Sequence, residues 1–140
     1  MSDTLLVHRG RVKPVIPGSC NGDVVLVDSY ISFFAEVNPD TGCLVEPSEL
    51  CFRDAVLVFR GTRGSTVAPY IIYALRRNNT APRCILVAEA EPMLIAGCVL
   101  AEIPLYVVED YEGLVTSIRL AKKSAYLEVR GNEVLLYERV

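Results

Sequence analysis

Ala55-Val56-Leu57-Val58-Phe59, running into Arg60-Gly61-Thr62-Arg63-Gly64-Ser65-Thr66, is the stretch that decides how this chain folds. Five apolar residues in succession leave no polar face, so the segment reads as a strand buried on both sides. The two glycines mark a turn. Beyond it, Val67, Ile71, Ala74 and Leu75 recur at helical spacing, which predicts a helix over Thr66 to Arg77. Cys84-Ile85-Leu86-Val87 supplies the next strand. Glu91-Pro92 opens a second helix through about Ala101, with proline in the first turn, where its missing N–H costs little. Pro104 marks the passage into a further strand, Leu105 to Val108. Strands alternating with helices in this way predict parallel pairing through right-handed crossovers.

Working outward, the flanks read as β structure. Leu5 to Val12 and Asp23 to Val27 are strand candidates, the second entered through Asn21-Gly22, and Asn38-Pro39-Asp40-Thr41-Gly42 is a dense turn cluster. After Gly113 the pattern turns β again, with Tyr126-Leu127-Glu128-Val129 and Val134-Leu135-Leu136-Tyr137 joined at a Gly131-Asn132 hairpin turn. The expected class is α/β: a compact β/β/α domain with a mixed sheet rather than an open doubly wound nucleotide fold. At 140 residues the chain fits one domain, 1–140.

Composition narrows the partners. A net charge of −3 argues against nucleic acid, which calls for a basic face. No apolar run approaches the roughly 18 residues of a membrane span, and Met1 to Gly10 lacks a leader-like stretch, so a cytoplasmic protein without a membrane partner is expected. An apolar share of 51% suggests that some apolar surface meets another chain. Phe33 and Phe34 are candidates, for that contact or for the core. Cys20, Cys43, Cys51, Cys84 and Cys98 include no CxxC pair, and neither a disulfide framework nor a metal motif can be read from their spacing. Cys84 and Cys98, inside apolar runs, read as small core residues. The lone His8 sits in a strand and is given no role. The pairs Arg76-Arg77 and Lys122-Lys123 read as solvated helix ends.

The turn at 60–66 is where chemistry is expected. It leads a buried strand into a helix, so backbone N–H groups and the positive end of the helix dipole converge near Ser65 and form an anion site. Gly61 and Gly64 let the backbone approach a ligand, and Arg63 adds a fork of donors suited to carboxylate or phosphate. Lysine is absent and the glycine spacing is wrong for a P-loop. On these residues alone, Ser65 or Thr66 is equally an ordinary helix cap, with Pro69 limiting how early the helix starts, and Arg60 equally a strand end.

Phe59 to Pro69, Asn79-Thr80-Ala81-Pro82 and Ala90-Glu91-Pro92 together resemble the small-subunit, or swivel-domain, part of aconitase X proteins. Ser32-Phe33 and Val37-Asn38-Pro39-Asp40-Thr41-Gly42 resemble the same family's N-terminal half, so the likeness covers nearly the whole chain. It implies a compact swivelling domain like the aconitase swivel domain, and a hydro-lyase subunit active only with a large catalytic subunit. That partner would ligate the iron–sulfur cluster, a 4Fe-4S centre acting as Lewis acid on the leaving hydroxyl, with no metal held by this chain. A serine matching Ser65 would take the proton from the carbon beside a carboxylate. The implied substrate is a small phosphorylated hydroxy acid, (R)-5-phosphomevalonate, dehydrated to trans-anhydromevalonate 5-phosphate in an archaeal route to isoprenoids. Bacterial relatives imply cis-3-hydroxy-L-proline instead. Arg63, Gly64, Thr66 and Arg60 are the implied substrate contacts, Arg60 favouring the phosphorylated one. Many members carry a second serine where this chain has Thr66. Asp40 and Glu91 follow turn and helix-start logic, although both lie in matched motifs. The competing readings are a stand-alone anion-binding module and a hydrolase with Ser65 as nucleophile, for which no base partner is visible.

Overall fold

A computed structural model describes residues 3–64, 66–121 and 125–139; Ser65 and the Lys122-Lys123 pair lie outside the described residues. In chain order the elements are β1 (Thr4–Ile16), β2 (Asn21–Ile31), α1 (Phe33–Glu36), β3 (Val37–Asn38), β4 (Cys43–Leu44), β5 (Val56–Thr62), α2 (Ala68–Arg77), β6 (Cys84–Val87), α3 (Pro92–Ala101), β7 (Leu105–Val108), α4 (Tyr111–Leu120), β8 (Ala125–Arg130) and β9 (Glu133–Arg139). Seven strands close into a barrel in the order β1-β7-β6-β5-β2-β8-β9, and β3 and β4 form a separate hairpin. Strands β2, β5, β6 and β7 are mutually parallel, while β1, β8 and β9 pair antiparallel and complete the ring. This is the α/β arrangement with a mixed sheet that the sequence predicts, closed on itself.

Alternate residues of the parallel strands feed two cores. Val56 and Val58, Cys84 and Leu86, and Tyr106 and Val108 point inward to meet Val12, Leu127, Val134 and Leu136. Leu57 and Phe59, Ile85 and Val87, and Leu105 point outward to Phe33, Ile72, Leu75, Leu94 and Cys98. Strands buried on both faces need no alternation of polar residues, which is why they appear as continuous apolar runs. Helices α2 and α3 cover the outer face and press together at Gly97, where a Cβ would stand 2.6 Å from Ile72 Cδ1 and 3.1 Å from Pro69 Cα.

The flanking strands outrun the expected ones. β1 pairs with β9 through its first half and with β7 through its second, so one long strand serves two neighbours in succession. β2 continues through the polar Asp28, Ser29 and Tyr30 across a register shift. Polar residues there conceal a strand whose backbone is still paired.

Three expectations are corrected. The segment after Gly113 is not β at first: Tyr111–Leu120 is helix α4, capped by Asp110, whose Oδ1 accepts from Gly113 N at 3.0 Å. Its glycine and β-branched residues lower helix propensity, but burial of Tyr111, Leu114 and Val115 into the inner core prevails. Cys84 is not a simple core residue. It is bonded to Cys20, and Cys43 is bonded to Cys51, leaving Cys98 as the buried free thiol. Spacing conceals the first pair because 64 residues separate the partners. Helix α2 also begins later than Thr66, at Ala68, consistent with the restriction that Pro69 imposes.

Candidate active site at the strand ends

Strands β2, β5, β6 and β7 all end on one rim of the barrel, and each leads into the start of a helix, at Phe33, Ala68, Pro92 and Tyr111. That rim is where open α/β sheets hold ligands, because helix N-termini converge there. The strand runs on through Arg60, Gly61 and Thr62, which the sequence places in the turn, so the link from β5 to α2 begins only at Arg63. Val67 occupies the N-cap position of α2, and its side chain has no hydrogen-bonding atom. Gly64 has φ +89, a conformation that disfavours any residue with a Cβ, and a Cβ there would meet nothing within 4 Å. Glycine is therefore required by the backbone angle, and the space beside it is open. Thr66 is exposed next to it.

Arg63 is fixed at both ends. Its backbone N–H donates to Ile31 O at 3.2 Å, and its guanidinium lies 3.4 Å from Glu36 Oε2, both side chains being largely in solvent. Glu36 in turn accepts from Ser32 N at 2.7 Å. Thr62 donates to Glu91 Oε1 at 2.6 Å, and Glu91 accepts from Met93 N and Leu94 N as the N-cap of α3. The helix-start role read for Glu91 is thus accompanied by a tie to the end of β5, one residue from Arg63.

Arg60 is turned elsewhere. Its guanidinium sits 2.8 Å from Glu112 and 3.1 Å from Asp28, and lies over the Tyr111 ring at 5.0 Å. Asp28 also holds Arg119 at 2.9 Å and accepts from the Tyr111 hydroxyl at 3.3 Å. The hydrogen bond that Arg60 donates to Glu112 is the main influence holding its guanidinium above its usual pKa. Burial, reinforced by Asp28, raises the Tyr111 phenol. This network fastens α4 to β2 and β5.

Gly61 has a different duty from Gly64. A Cβ there would stand 3.1 Å from Glu89 O, 3.2 Å from Glu89 Cγ and 3.2 Å from Tyr30 Cε1, so its bareness seats the Tyr30–Glu89 pair over β5. Burial, then the hydrogen bond to Glu89, raises the Tyr30 phenol pKa. Glu36, Tyr30 and Glu89 escape sequence reasoning because each reaches Arg63 or Gly61 from an element far from it in the chain. For Glu36 a faint signal exists, since it lies four residues after Ser32 and one turn can bring the two together.

Other singled-out residues lie apart from this rim. Asn38 Oδ1, rather than Asp40, accepts in the Asx turn, from Asp40 N at 2.9 Å. The Pro39 carbonyl accepts from Thr80 Oγ1 at 2.7 Å and Asn78 Nδ2 at 3.0 Å. The 37–42 and 79–82 motifs therefore lock onto each other at the C-terminal end of α2, roughly 15 Å of helix from the turn. His8 pairs with Ser117 at 3.2 Å on the α4 side of the barrel.

A closed mixed barrel whose four parallel strands each lead into a helix at one rim defines the architecture of a swivel-type domain. The chain belongs to the aconitase X swivel-domain family, whose family model matches residues 9–136. It is 49% identical over 100 residues to the phosphomevalonate dehydratase small subunit of Aeropyrum pernix, covering 71% of this chain and 74% of that one. To the small subunit of the same name from Pyrococcus abyssi it is 37% identical over 116 residues, covering 79% and 89%. The crystal structure of Thermococcus kodakaraensis aconitase X in its holo form superposes with a TM-score of 0.76 at 28% identity, over 95% of this chain and 98% of that one.

The family implies an iron–sulfur enzyme. The donors of this chain do not fit a cluster. Four of its five cysteines are consumed in disulfides, and burial pushes the Cys98 thiol up to about 12, disfavouring the thiolate that ligation needs. Among the described residues no group of three or more His, Cys, Asp or Glu side chains is arranged to hold a metal. No described helix is long and apolar enough to cross a membrane.

Proposed function

We propose that this chain is the small subunit of a phosphomevalonate dehydratase, a hydro-lyase converting (R)-5-phosphomevalonate to trans-anhydromevalonate 5-phosphate together with a larger chain. The observation that carries the reading is the similarity to dehydratase small subunits over about three-quarters of the sequence. In this reading residues 1–140 act as one swivel-type domain, and the family's cluster belongs to the large subunit, in keeping with the donor chemistry above.

Within that frame the chain contributes a base and an anion cradle. Ser65 takes the proton from the carbon beside the substrate carboxylate while the hydroxyl one carbon further leaves. A serine is a poor base at neutral pH, so its alkoxide needs nearby positive charge; in this reading the α2 N-terminus and the Arg63 guanidinium, close to Ser65 in sequence, supply it. Open space at Gly64 lets backbone and ligand approach, and Thr66 offers a hydroxyl where many relatives have serine. Arg63 exchanges Glu36 for a substrate oxyanion as water is excluded. Arg60 keeps a part in substrate binding only through the Asp28–Glu112 network that sets the shape of the rim.

Co-expression with a large chain that co-purifies with it, followed by assay on (R)-5-phosphomevalonate and cis-3-hydroxy-L-proline, tests the proposal. Turnover of the first substrate alone, lost in Ser65→Ala with the complex still assembled, is the expected result. Turnover of hydroxyproline instead overturns the substrate, and full activity in Ser65→Ala overturns the role of the serine.

A further inference from the structure

Phe33 and Phe34 are adjacent, yet the structure separates their fates. Phe33 is buried edge-on against Phe59 at 5.8 Å, whereas Phe34 projects into solvent with 65% of its surface exposed. Phe34 stands on α1, two residues before the Glu36 that holds Arg63. Tyr70, 70% exposed, stands in the first turn of α2, its backbone N–H bonded to Val67 O. Val45, 57% exposed, is tied by its N–H to Glu36 O at 2.8 Å. Three exposed apolar side chains thus stand on, or are bonded to, the elements that carry the Arg63–Glu36 pair and follow the link between β5 and α2.

Exposed aromatic side chains beside a polar centre are the usual anchors of a protein interface. The chemistry of the turn indicates the occupant. Arg63 and Glu36 face water in the isolated chain, where charge stabilisation of a serine base is weak, and the same surface must become dry for the chemistry assigned to it. A second copy of this chain seated on Phe34 and Tyr70 would dry the turn but shut it away from the chain that brings the rest of the active site. We infer that Phe34, Val45 and Tyr70 form the docking rim for the large subunit, closing beside the Arg63–Glu36 pair like a gasket. This rests on the dehydratase reading.

The test measures binding of the co-purifying large subunit to Phe34→Ala, Tyr70→Ala and, as a control, Leu120→Ala. Leu120 is 71% exposed on α4, so it matches Tyr70 in exposure but lies outside the rim. Each rim substitution should weaken association by about tenfold, as truncated interface anchors do. The amount of small subunit needed for half-maximal activity should rise in step, with the maximal rate retained at saturation and Leu120→Ala like the parent. All three substitutions lie on the surface, so circular dichroism of the isolated chains should be unaltered. Parent-like binding by both rim variants overturns the inference. So does a dimer of the isolated chain that Phe34→Ala and Tyr70→Ala dissociate while large-subunit binding is untouched. Either outcome leaves the dehydratase reading standing as long as Ser65→Ala still abolishes turnover; if no large chain co-purifies, that reading fails first.

Discussion

Removing the Cys20–Cys84 bond should be the most costly single covalent change to this fold. The bond joins the residue preceding β2 to the first residue of β6, across the end of the barrel opposite the turn, and both cysteines are buried in the inner core. Its partners are 64 residues apart, so in the chain-entropy account the closed loop withholds about 4 kcal/mol of disorder from the unfolded chain. The Cys43–Cys51 bond spans 8 residues and, by the same relation, contributes about 2.5 kcal/mol. For a chain of this length the first difference amounts to roughly 10–15 °C in Tm. Calorimetry of the parent protein with and without reductant, beside the Cys20→Ala/Cys84→Ala and Cys43→Ala/Cys51→Ala pairs, gives the comparison. The expected order is parent, then the 43/51 pair, then the 20/84 pair, and reductant should no longer affect a variant lacking both bonds. Counting thiols in the unfolded, unreduced protein checks the premise, since one reactive thiol, Cys98, is expected. Five reactive thiols, or a 20/84 variant melting with the parent, would refute the reasoning.

Other consequences follow from close contacts and charge. Gly97→Ala should destabilise by about 1–2 kcal/mol: overpacking against Ile72 and the Pro69 backbone outweighs the gain of about 1 kcal/mol in helix propensity, and Ile72→Val should partly relieve it in a double-mutant cycle. A melt of Gly97→Ala at or above the parent would show the helices able to part. Asp28→Asn should cost about 1–3 kcal/mol by leaving Arg60 and Arg119 without their shared anion, while Glu112→Gln, at an exposed carboxylate, should change denaturant midpoints by less than about 1 kcal/mol. The Cys98 thiol has a folded pKa of about 12 against an ordinary value of 9.0, so the fold favours its neutral form. Its contribution is complete below pH 9 and disappears as pH rises through 12, which predicts a fall in stability over that window that Cys98→Ala flattens. Native Cys98 should also resist maleimide at neutral pH.

The inner segments were legible because a strand buried on both faces reads as an unbroken apolar run, while Glu91-Pro92 marks the start of the largely apolar α3. Cys84–Val87, Pro92–Ala101 and Leu105–Val108 lie where the residues place them, and Glu91 caps the helix that its position before Pro92 implies. Helix α4 was hidden by Gly113 and its β-branched residues, although Asp110 with apolar positions at 111, 114, 115 and 118 held a usable signal. The strand-to-helix link was legible as well, since Gly64 stands after β5 and α2 follows within a few residues.

What the sequence by itself determined was the β-α-β-α-β centre, the strand-to-helix turn around Ser65 and the family to which these motifs point, because each is a local pattern of burial or backbone freedom. Only the tertiary structure decided that the sheet closes into a barrel, that Cys20 meets Cys84, that Gly61 seats Tyr30 and Glu89, that Arg60 is held by α4, and that Phe34 faces outward while Phe33 does not. Each of these depends on which strands become neighbours, and that is settled by long-range packing over many residues, which no local stretch encodes.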